Sequence, residues 1–293
     1  MSSSDRLANL LKKRKYTIQE LAEITKLSEK KIRRKIDKLI DRGYEIRKER
    51  RFGKKTLYYI PYPDDQLEID IPPVQKIGIV SDTHLGNKKA RVDLLHKMYK
   101  IFEAEDVDLI IHAGDVTDGD GRVYKGQLNE LKVYGFDETL DYLINEYPYS
   151  RIKTYLITGN HDDSFIKSTG ANIVKQATKY RDDFVYCGED GARLKAPNLV
   201  LEVVHGKGGN SYARSYKSQR QLEQMTDRPD ILIRGHHHIS LFMPYLESVI
   251  VEAGCFQDQT NYEKRQGLYP QVGGWILEID GLIKSSWYPK ELL

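Results

Sequence analysis

The chain has 293 residues, of which 40% are hydrophobic and 30% charged, and its net charge is +3. This composition is typical of a globular protein with room for one large domain and a smaller one, and it excludes collagen-like and disordered chains. No apolar run approaches the roughly 20 residues that span a bilayer. The first residues do not form a secretory signal, so we expect a cytoplasmic protein without membrane contact. Cys187 and Cys255 are too distant in sequence for a thiolate zinc motif and fit a reducing compartment.

Charge is distributed unevenly along the chain. Residues 1–62 contain 19 Lys and Arg against 8 Asp and Glu, whereas the remaining residues contain 27 against 35. The first part therefore has a net charge of +11 and the rest −8. A basic segment favours a polyanionic partner, and an acidic body favours bound cations. Each could also be a solvated surface, so the motifs within each part are needed to decide.

The N-terminal part predicts three short helices, the first of them around residues 7–11. The second begins at a capping box, Thr17–Glu20, where the hydroxyl and the carboxylate accept hydrogen bonds from free backbone N–H groups, and it runs to about Thr25. Ser28 can cap the third helix, which ends at Gly43. The third helix has an apolar face of Ile32, Ile36, Leu39 and Ile40.

Two strands are predicted after these helices, at residues 44–47 and 56–60, with a basic loop between them. Three helices followed by a hairpin resemble the winged helix-turn-helix family, over about residues 3–60. The resemblance implies that the third helix enters a DNA major groove and that the hairpin loop contacts the backbone. The alternative is a protein-binding module whose charges provide solubility. The implied DNA contacts are Lys30, Lys31, Arg33, Arg34, Lys35, Lys38, Arg50, Arg51, Lys54 and Lys55.

Four acidic residues lie between two pairs of prolines after this module, which is typical of a stiffened linker. The predicted organisation is a DNA-binding domain at residues 1–62, a linker at 63–75 and a second domain at 76–293.

In the second domain, five predicted strands each end at a residue that can bind a metal. Ligand sites of α/β sheets lie at such carboxyl ends, and six of the eight histidines occur there. Segments with helical periodicity, at 91–102 and 136–147, separate the strands and supply core residues. The motifs, in chain order, are Asp82-Thr83-His84, Gly114-Asp115-Val116-Thr117-Asp118-Gly119, Gly159-Asn160-His161-Asp162, His205-Gly206 and Gly235-His236-His237-His238.

This series resembles the calcineurin-like metallophosphoesterase family over about residues 76–280. The resemblance implies an α/β fold, a four-layer α/β/β/α sandwich preceded here by the small winged helix domain, and two adjacent metals bridged by Asp115. It implies that His161 acts on the phosphate and that Asp118 orients His161, whereas His237 has no assigned role. The implied ligands of the first metal are Asp82, His84, Asp115 and His238. The implied ligands of the second metal are Asp115, Asn160, His205 and His236.

The implied chemistry follows from general principles. Two divalent cations about 3.5–4 Å apart can clamp a phosphoryl group and acidify a bridging water into a hydroxide nucleophile. Mixed carboxylate, imidazole and amide ligands suit transition metals better than Mg²⁺ or Ca²⁺, which prefer oxygen ligands. We expect manganese, with iron or zinc as alternatives.

The sequence motifs indicate the substrate less directly than they indicate the metal site. Gly119 occupies the position where protein Ser/Thr phosphatases of this family carry Arg, which disfavours that branch. Residues 81–86 resemble the opening of SbcD/Mre-type repair nucleases and also that of small bacterial phosphodiesterases. The histidine that some repair nucleases place near Asp118 is absent.

A DNA-binding module raises the local concentration of phosphodiesters at a tethered active site. We therefore predict a two-metal DNA phosphodiesterase, that is, a nuclease. One alternative is a hydrolase of nucleotides or other small phosphoesters that the N-terminal module localises or regulates. Another is an inactive DNA-binding regulator. Arg214, Lys217 and Arg220 could line a substrate path or form a solvated helix face.

Overall fold

The protein is described here by a computed structural model. It describes residues 7–8, 10–11, 16–42, 44, 46–49, 56–59, 68–209, 211–225 and 227–293. Across these ranges, no helix is both long and apolar enough to cross a membrane.

The structure describes the following helices and strands, in addition to helical backbone at residues 7–8 and 10–11. The helices are α1 (Ile18–Thr25), α2 (Glu29–Asp41), α3 (Val92–Ala104), α4 (Phe136–Glu146), α5 (Asp162–Thr169), α6 (Ile173–Ala177), α7 (Tyr216–Gln224) and α8 (Asn261–Gln266). The strands are β1 (Tyr16–Thr17), β2 (Arg47–Glu49), β3 (Leu57–Tyr59), β4 (Glu68–Asp70), β5 (Lys76–Val80), β6 (Leu109–His112), β7 (Thr154–Thr158), β8 (Phe184–Glu189), β9 (Gly191–Ala196), β10 (Leu199–Val204), β11 (Ile231–Arg234), β12 (Ser240–Tyr245), β13 (Ser248–Ala253), β14 (Gly273–Ile279) and β15 (Ile283–Pro289).

Backbone contacts divide the chain into two compact units. Unit 1 consists of Met1–Gln66 and Lys207–Arg228, and unit 2 consists of Leu67–Gly206 and Pro229–Leu293. The predicted domain limits stay a prediction. They place residues 207–228 with the C-terminal domain, whereas this segment, including α7, groups with the N-terminal unit by its contacts.

Unit 1 contains the two capped helices and a three-stranded sheet. The Thr17 hydroxyl accepts a hydrogen bond from the Glu20 N–H at 3.2 Å, and the Glu20 carboxylate accepts one from the Thr17 N–H at 2.7 Å. Ser28 caps α2 through the Lys31 N–H at 3.4 Å. Both helix starts agree with the sequence, while the predicted stop, Gly43, lies outside the described residues.

The sheet of unit 1 has the order β1-β3-β2, and both pairings are antiparallel. The predicted hairpin is present, with its first strand shifted toward the C-terminus. The apolar residues of α1 and α2 pack with the N-terminal leucines because their spacing places them on the inward faces. The buried residues of this core are Leu7, Ala8, Leu11, Tyr16, Ile18, Leu21, Ile32, Ile36, Leu39, Ile46 and Tyr58.

Unit 2 has a mixed α/β fold with two six-stranded sheets. One sheet has the order β15-β14-β5-β6-β7-β8, in which β5 to β8 are parallel. The other has the order β12-β13-β11-β10-β9-β4, in which β13, β11 and β10 are parallel. Strand β4 lies within the predicted linker but pairs with β9, where the Lys195 Nζ lies 2.8 Å from the Glu68 Oε2.

Two apolar layers position the strands of unit 2. One forms from inward-facing residues of both sheets, because alternate side chains of a strand point to opposite faces. The other packs α3 and α4 with the outer face of the β5–β8 sheet, which agrees with the predicted helical segments. The first layer includes Ile77, Ile79, Leu109, Ile111, Leu201, Val203, Ile231, Ile233 and Val251. The second includes Val80, Leu95, Met98, Phe102, Ile110, Leu143 and Leu156. Two packed sheets in a mixed α/β fold are consistent with a metallophosphoesterase sandwich, whereas the expected fourth layer, helices on the second sheet, stays a prediction.

Candidate metal centre

The predicted ligands lie where strands of both sheets of unit 2 end. Strands β5, β6 and β7 are adjacent and parallel, so the residues after them share one edge of their sheet. Strands β10 and β11 are likewise adjacent and parallel. Five of these residues turn sharply out of their strands in the left-handed backbone region, which non-glycine residues seldom adopt and in which Asp and His are enriched. Their φ angles are 49° for Asp82, 45° for His84, 51° for Asp115, 75° for His236 and 52° for His238.

The glycines of the motifs make room for the ligands. A Cβ at Gly159 would overlap the Asp115 backbone nitrogen and the Asp115 Oδ1 atom. A Cβ at Gly114, whose φ is 91°, would lie 2.6 Å from the His205 Nδ1 atom. Glycine is therefore needed at positions 114 and 159 because a side chain there would collide with the ligands, in addition to any role of these glycines in a turn.

The first predicted ligand set is brought together. Candidate ligand atoms of Asp82, His84 and His238 all lie within 4.8 Å of one another. The His238 Nε2 is 3.4 Å from the Asp82 Oδ1 and 3.0 Å from the His84 Nε2. The Asp115 Oδ2 lies 3.9 Å from the His84 Nε2, so all four predicted residues face one space.

The second predicted set is brought together around the same aspartate. Candidate ligand atoms of Asp115, His205 and His236 also lie within 4.8 Å of one another. The His205 Nε2 is 3.0 Å from the Asp115 Oδ2 and 3.2 Å from the Asn160 Oδ1. Asp115 thus borders both sets, as a bridging ligand must.

Hydrogen bonds at the far side of three imidazoles determine which nitrogen faces the site. The Nδ1 of His205 donates to the Ala113 carbonyl oxygen at 2.9 Å. The Nδ1 of His84 pairs with the Asp118 Oδ1 at 2.9 Å, and that of His238 with the Glu263 Oε1 at 2.7 Å. On binding a metal, each ring would present its Nε2 lone pair while its Nδ1 keeps the hydrogen-bond partner, which is the arrangement found for metal-bound histidines. The residues present therefore fit two divalent cations.

The carboxylates of Asp115 and Asp82 are held in the charged form. Burial alone would raise the pKa of Asp115, but His205, His161 and His84 hold that pKa well below its ordinary value. Burial would also raise the pKa of Asp82, but His238 and His205 lower it. Both side chains are thus anionic, which metal ligation requires.

His161 lies beside the ligand sets and retains access to solvent, with 12% of its side chain exposed. Its Nε2 is 4.0 Å from the Asp115 Oδ2, and its Nδ1 is 3.1 Å from both the Asp118 Oδ1 and the Asp118 carbonyl oxygen. Burial would lower the pKa of His161, but Asp115 and Asp118 outweigh it and raise the pKa to about 9. Dications in the neighbouring sets would lower it toward neutrality. This is the range that suits a general acid.

Asp118 contacts two histidines, whereas the sequence suggested only one. Its Oδ1 lies 2.9 Å from the His84 Nδ1 and 3.1 Å from the His161 Nδ1. The Asn87 side-chain amide donates to its Oδ2 at 2.8 Å. The carboxylate is therefore placed to orient a metal ligand and the candidate acid together.

Some supporting residues were not found from the sequence. The Asp162 carboxylate accepts hydrogen bonds from the Val116 and Thr117 N–H groups at 3.0 and 2.8 Å. It also accepts one from the Gly159 N–H at 3.0 Å, so it ties two ligand loops together. Glu263 was missed because its only local signal is a capping box with Thr260.

Replacing Glu263 with glutamine is expected to weaken metal binding about 10- to 100-fold, because the neutral amide holds the His238 ring less firmly. Manganese affinity can be measured by titration calorimetry of the purified protein. The exposed residue Glu278, changed to glutamine, serves as the matched control. Equal affinity in both variants would contradict a positioning role for Glu263.

The predicted DNA-binding residues of unit 1 are only partly described. On α2, Lys35 is half-buried and Arg33 donates a hydrogen bond to the Tyr58 hydroxyl at 3.3 Å. The loop residues Arg50, Arg51, Lys54 and Lys55 lie outside the described residues. Of the predicted contacts on α2, Lys30, Lys31, Arg33, Arg34 and Lys38 are exposed, and the acidic residues Glu29, Asp37 and Asp41 of the same helix are exposed as well.

The other basic residues considered from the sequence lie in or near α7. Arg214 is exposed, and Arg220 pairs with Glu223. Lys217 is buried and donates a hydrogen bond to the Lys207 carbonyl oxygen at 3.1 Å. The sequence-based view of a solvated helix face is therefore wrong for Lys217.

Residues 76–269 match the model of the calcineurin-like phosphoesterase superfamily domain. The chain belongs to this superfamily. Curated relatives of this phosphoesterase include the DNA polymerase II small subunits of Methanothermobacter thermautotrophicus and Methanocaldococcus jannaschii. The first is 24% identical over 248 residues, covering 67% of this chain and 50% of the relative. The second is 26% identical over 268 residues, covering 71% and 44%.

The chain spans about half the length of these curated relatives. They are polymerase small subunits rather than the SbcD/Mre-type nucleases that the opening motif suggested. Among solved structures, an archaeal phosphodiesterase has 17% identity and a TM-score of 0.45, covering 73% of this chain and 99% of that one. A predicted phosphoesterase from Streptococcus pneumoniae has 12% identity and a TM-score of 0.41, covering 75% and 91%.

Proposed function

We propose that this phosphoesterase is a two-metal phosphodiesterase that hydrolyses DNA. The observation that carries the proposal is the pair of ligand sets that share Asp115. Divalent metals held there, with manganese our first expectation and iron or zinc the alternatives, would polarise the phosphoryl oxygens and acidify an attacking water. His161 is placed to stabilise charge on the phosphate and to protonate the leaving oxygen, while Asp118 holds its ring in place.

Two further observations support DNA as the substrate. The curated relatives are named DNA polymerase II small subunits, which supports a substrate in DNA. The exposed side chains of α2 include five basic residues against three acidic ones, Glu29, Asp37 and Asp41, in a unit that also has a hairpin. We propose that unit 1 is a winged helix module and that α2 contacts phosphates, which would favour binding with little sequence preference.

The proposal is tested by incubating the purified protein with Mn²⁺ and end-labelled single- and double-stranded DNA. We expect cleavage that EDTA stops and that added Mn²⁺ restores. Turnover of bis-p-nitrophenyl phosphate without cleavage of DNA would instead identify a small phosphoester as the substrate. Absence of both activities with metal bound would overturn the proposal.

Neutralising exposed basic residues of α2 is expected to weaken DNA binding and flatten its salt dependence. The suitable variant changes Lys30, Lys31 and Arg34 to glutamine but keeps Arg33, whose hydrogen bond to Tyr58 supports the fold. For each phosphate that α2 no longer neutralises, the slope of log K against log salt should fall by about 0.9 for duplex DNA. Fluorescence anisotropy at several salt concentrations measures this slope.

The matched control changes three exposed lysines of unit 2, Lys97, Lys100 and Lys284, to glutamine. This control changes the net charge by the same amount as the α2 variant. A difference between the two variants therefore reports contacts made by α2 rather than the electrostatic field of the whole protein. If both triple variants give the same slope as the unmodified protein, α2 is not the DNA contact.

A further inference from the structure

Two tyrosines form an aromatic surface beside the candidate metal centre. The rings of Tyr124 and Tyr262 stack with centroids 4.7 Å apart and an interplanar angle of 28°. The Tyr124 ring meets the His161 ring at 6.2 Å and 61°. Tyr262 is 39% exposed, so part of the pair is accessible to a ligand.

A buried carboxylate holds this pair rigidly. The Tyr124 hydroxyl donates a hydrogen bond to the Glu130 Oε2 at 2.5 Å. The other oxygen of Glu130 accepts the N–H of Asn261, the first residue of α8, at 3.1 Å. Because Tyr262 follows Asn261, a single side chain fixes both rings.

Helix α8 also links the pair to a metal ligand. Glu263, the next residue, pairs with the His238 Nδ1 at 2.7 Å. The aromatic surface is therefore positioned from two sides, by His161 at one ring and by His238 through α8 at the other. A pair that served only to fill a core would need neither exposure nor this connection.

We propose that Tyr124 and Tyr262 form a nucleobase subsite that stacks on a base next to the scissile phosphate. This inference rests on the proposed function and names its substrate class as base-bearing phosphodiesters. Every base has a flat π face, so stacking selects for a base without selecting its identity. Such selection suits a protein that binds the DNA backbone through basic side chains.

The test uses dithymidine phosphate and two analogues in which one or the other nucleoside is replaced by abasic tetrahydrofuran. We expect the unmodified protein to lose about 5- to 100-fold in kcat/KM on one analogue, mainly through KM. Tyr262→Ala should lose as much kcat/KM on dithymidine phosphate itself. It should then hydrolyse dithymidine phosphate and that analogue with similar kcat/KM. Tyr262→Phe should behave like the unmodified protein, because stacking needs the ring and not the hydroxyl.

Tyr180→Ala is the matched control. Tyr180 is 67% exposed and precedes β8, whose start lies at the end of the sheet opposite the ligands. This variant should retain the discrimination between the substrates. If Tyr262→Ala retains it as well, the subsite assignment is wrong, even though DNA hydrolysis by the unmodified protein would still support the proposed function.

A binding measurement covers the case in which the unmodified protein hydrolyses no dinucleotide. The Mn²⁺-loaded protein is titrated with a trinucleotide carrying 2-aminopurine, whose fluorescence falls when it stacks. Quenching by the unmodified protein and Tyr262→Phe, but not by Tyr262→Ala, would support the subsite although hydrolysis of DNA had failed. Equal or absent quenching in all three would overturn it.

Discussion

Changing Asp115 to asparagine is expected to remove nearly all phosphodiesterase activity together with bound metal. The Asp115 Oδ2 lies 3.0 Å from the His205 Nε2 and 3.9 Å from the His84 Nε2, so one carboxylate serves both ligand sets. Asparagine keeps the shape and tolerates the left-handed backbone at φ 51°, but it lacks the negative charge. Metal polarisation contributes several kcal/mol to such reactions, so we expect a loss on the order of 10³-fold in kcat/KM.

The control for this variant is Asp106→Asn. Asp106 has nearly the same backbone conformation, with φ 49°, and it is exposed before the start of β6. Both variants are dialysed against Mn²⁺, their metal content is measured by mass spectrometry, and their turnover of bis-p-nitrophenyl phosphate and of DNA is compared. Full metal content and full activity in Asp115→Asn would rule out the two-metal assignment.

Changing His161 to alanine is expected to reduce the rate of DNA cleavage by about 10²- to 10⁴-fold while metal remains bound. His161 is outside both ligand sets, but its Nε2 lies 4.0 Å from the shared carboxylate oxygen. A general acid matters most when the leaving oxygen is a poor leaving group, as in DNA. The loss on bis-p-nitrophenyl phosphate should therefore be much smaller, because p-nitrophenolate departs without a proton.

His96→Ala is the control for this second variant. His96 is exposed on α3, and its Nε2 pairs with the Glu146 carbonyl oxygen at 3.0 Å, away from the predicted motifs. It should keep both activities and the metal. An equal loss on both substrates in His161→Ala, accompanied by loss of metal, would make His161 a ligand or a structural residue rather than an acid.

The sequence by itself determined the local features of this protein. The capping box at Thr17 and the cap at Ser28 define helix starts because they use hydrogen bonds between residues three apart. The periodicity of residues 136–147 marked α4 and its buried Leu143. The strand-end motifs identified candidate ligands because a metal site of this class needs those residue types directly after strands.

Only the tertiary structure decided which side chains meet. Glu263 reaches His238, and Tyr124 reaches Tyr262, across distances in sequence that no local pattern records. Strand β4 joins the second sheet although its acidic, Pro-flanked sequence predicted a linker. The segment 207–228 likewise groups with the N-terminal unit. Helix caps and periodicity depend on near neighbours, whereas strand order and the partners it brings together depend on packing of the whole chain.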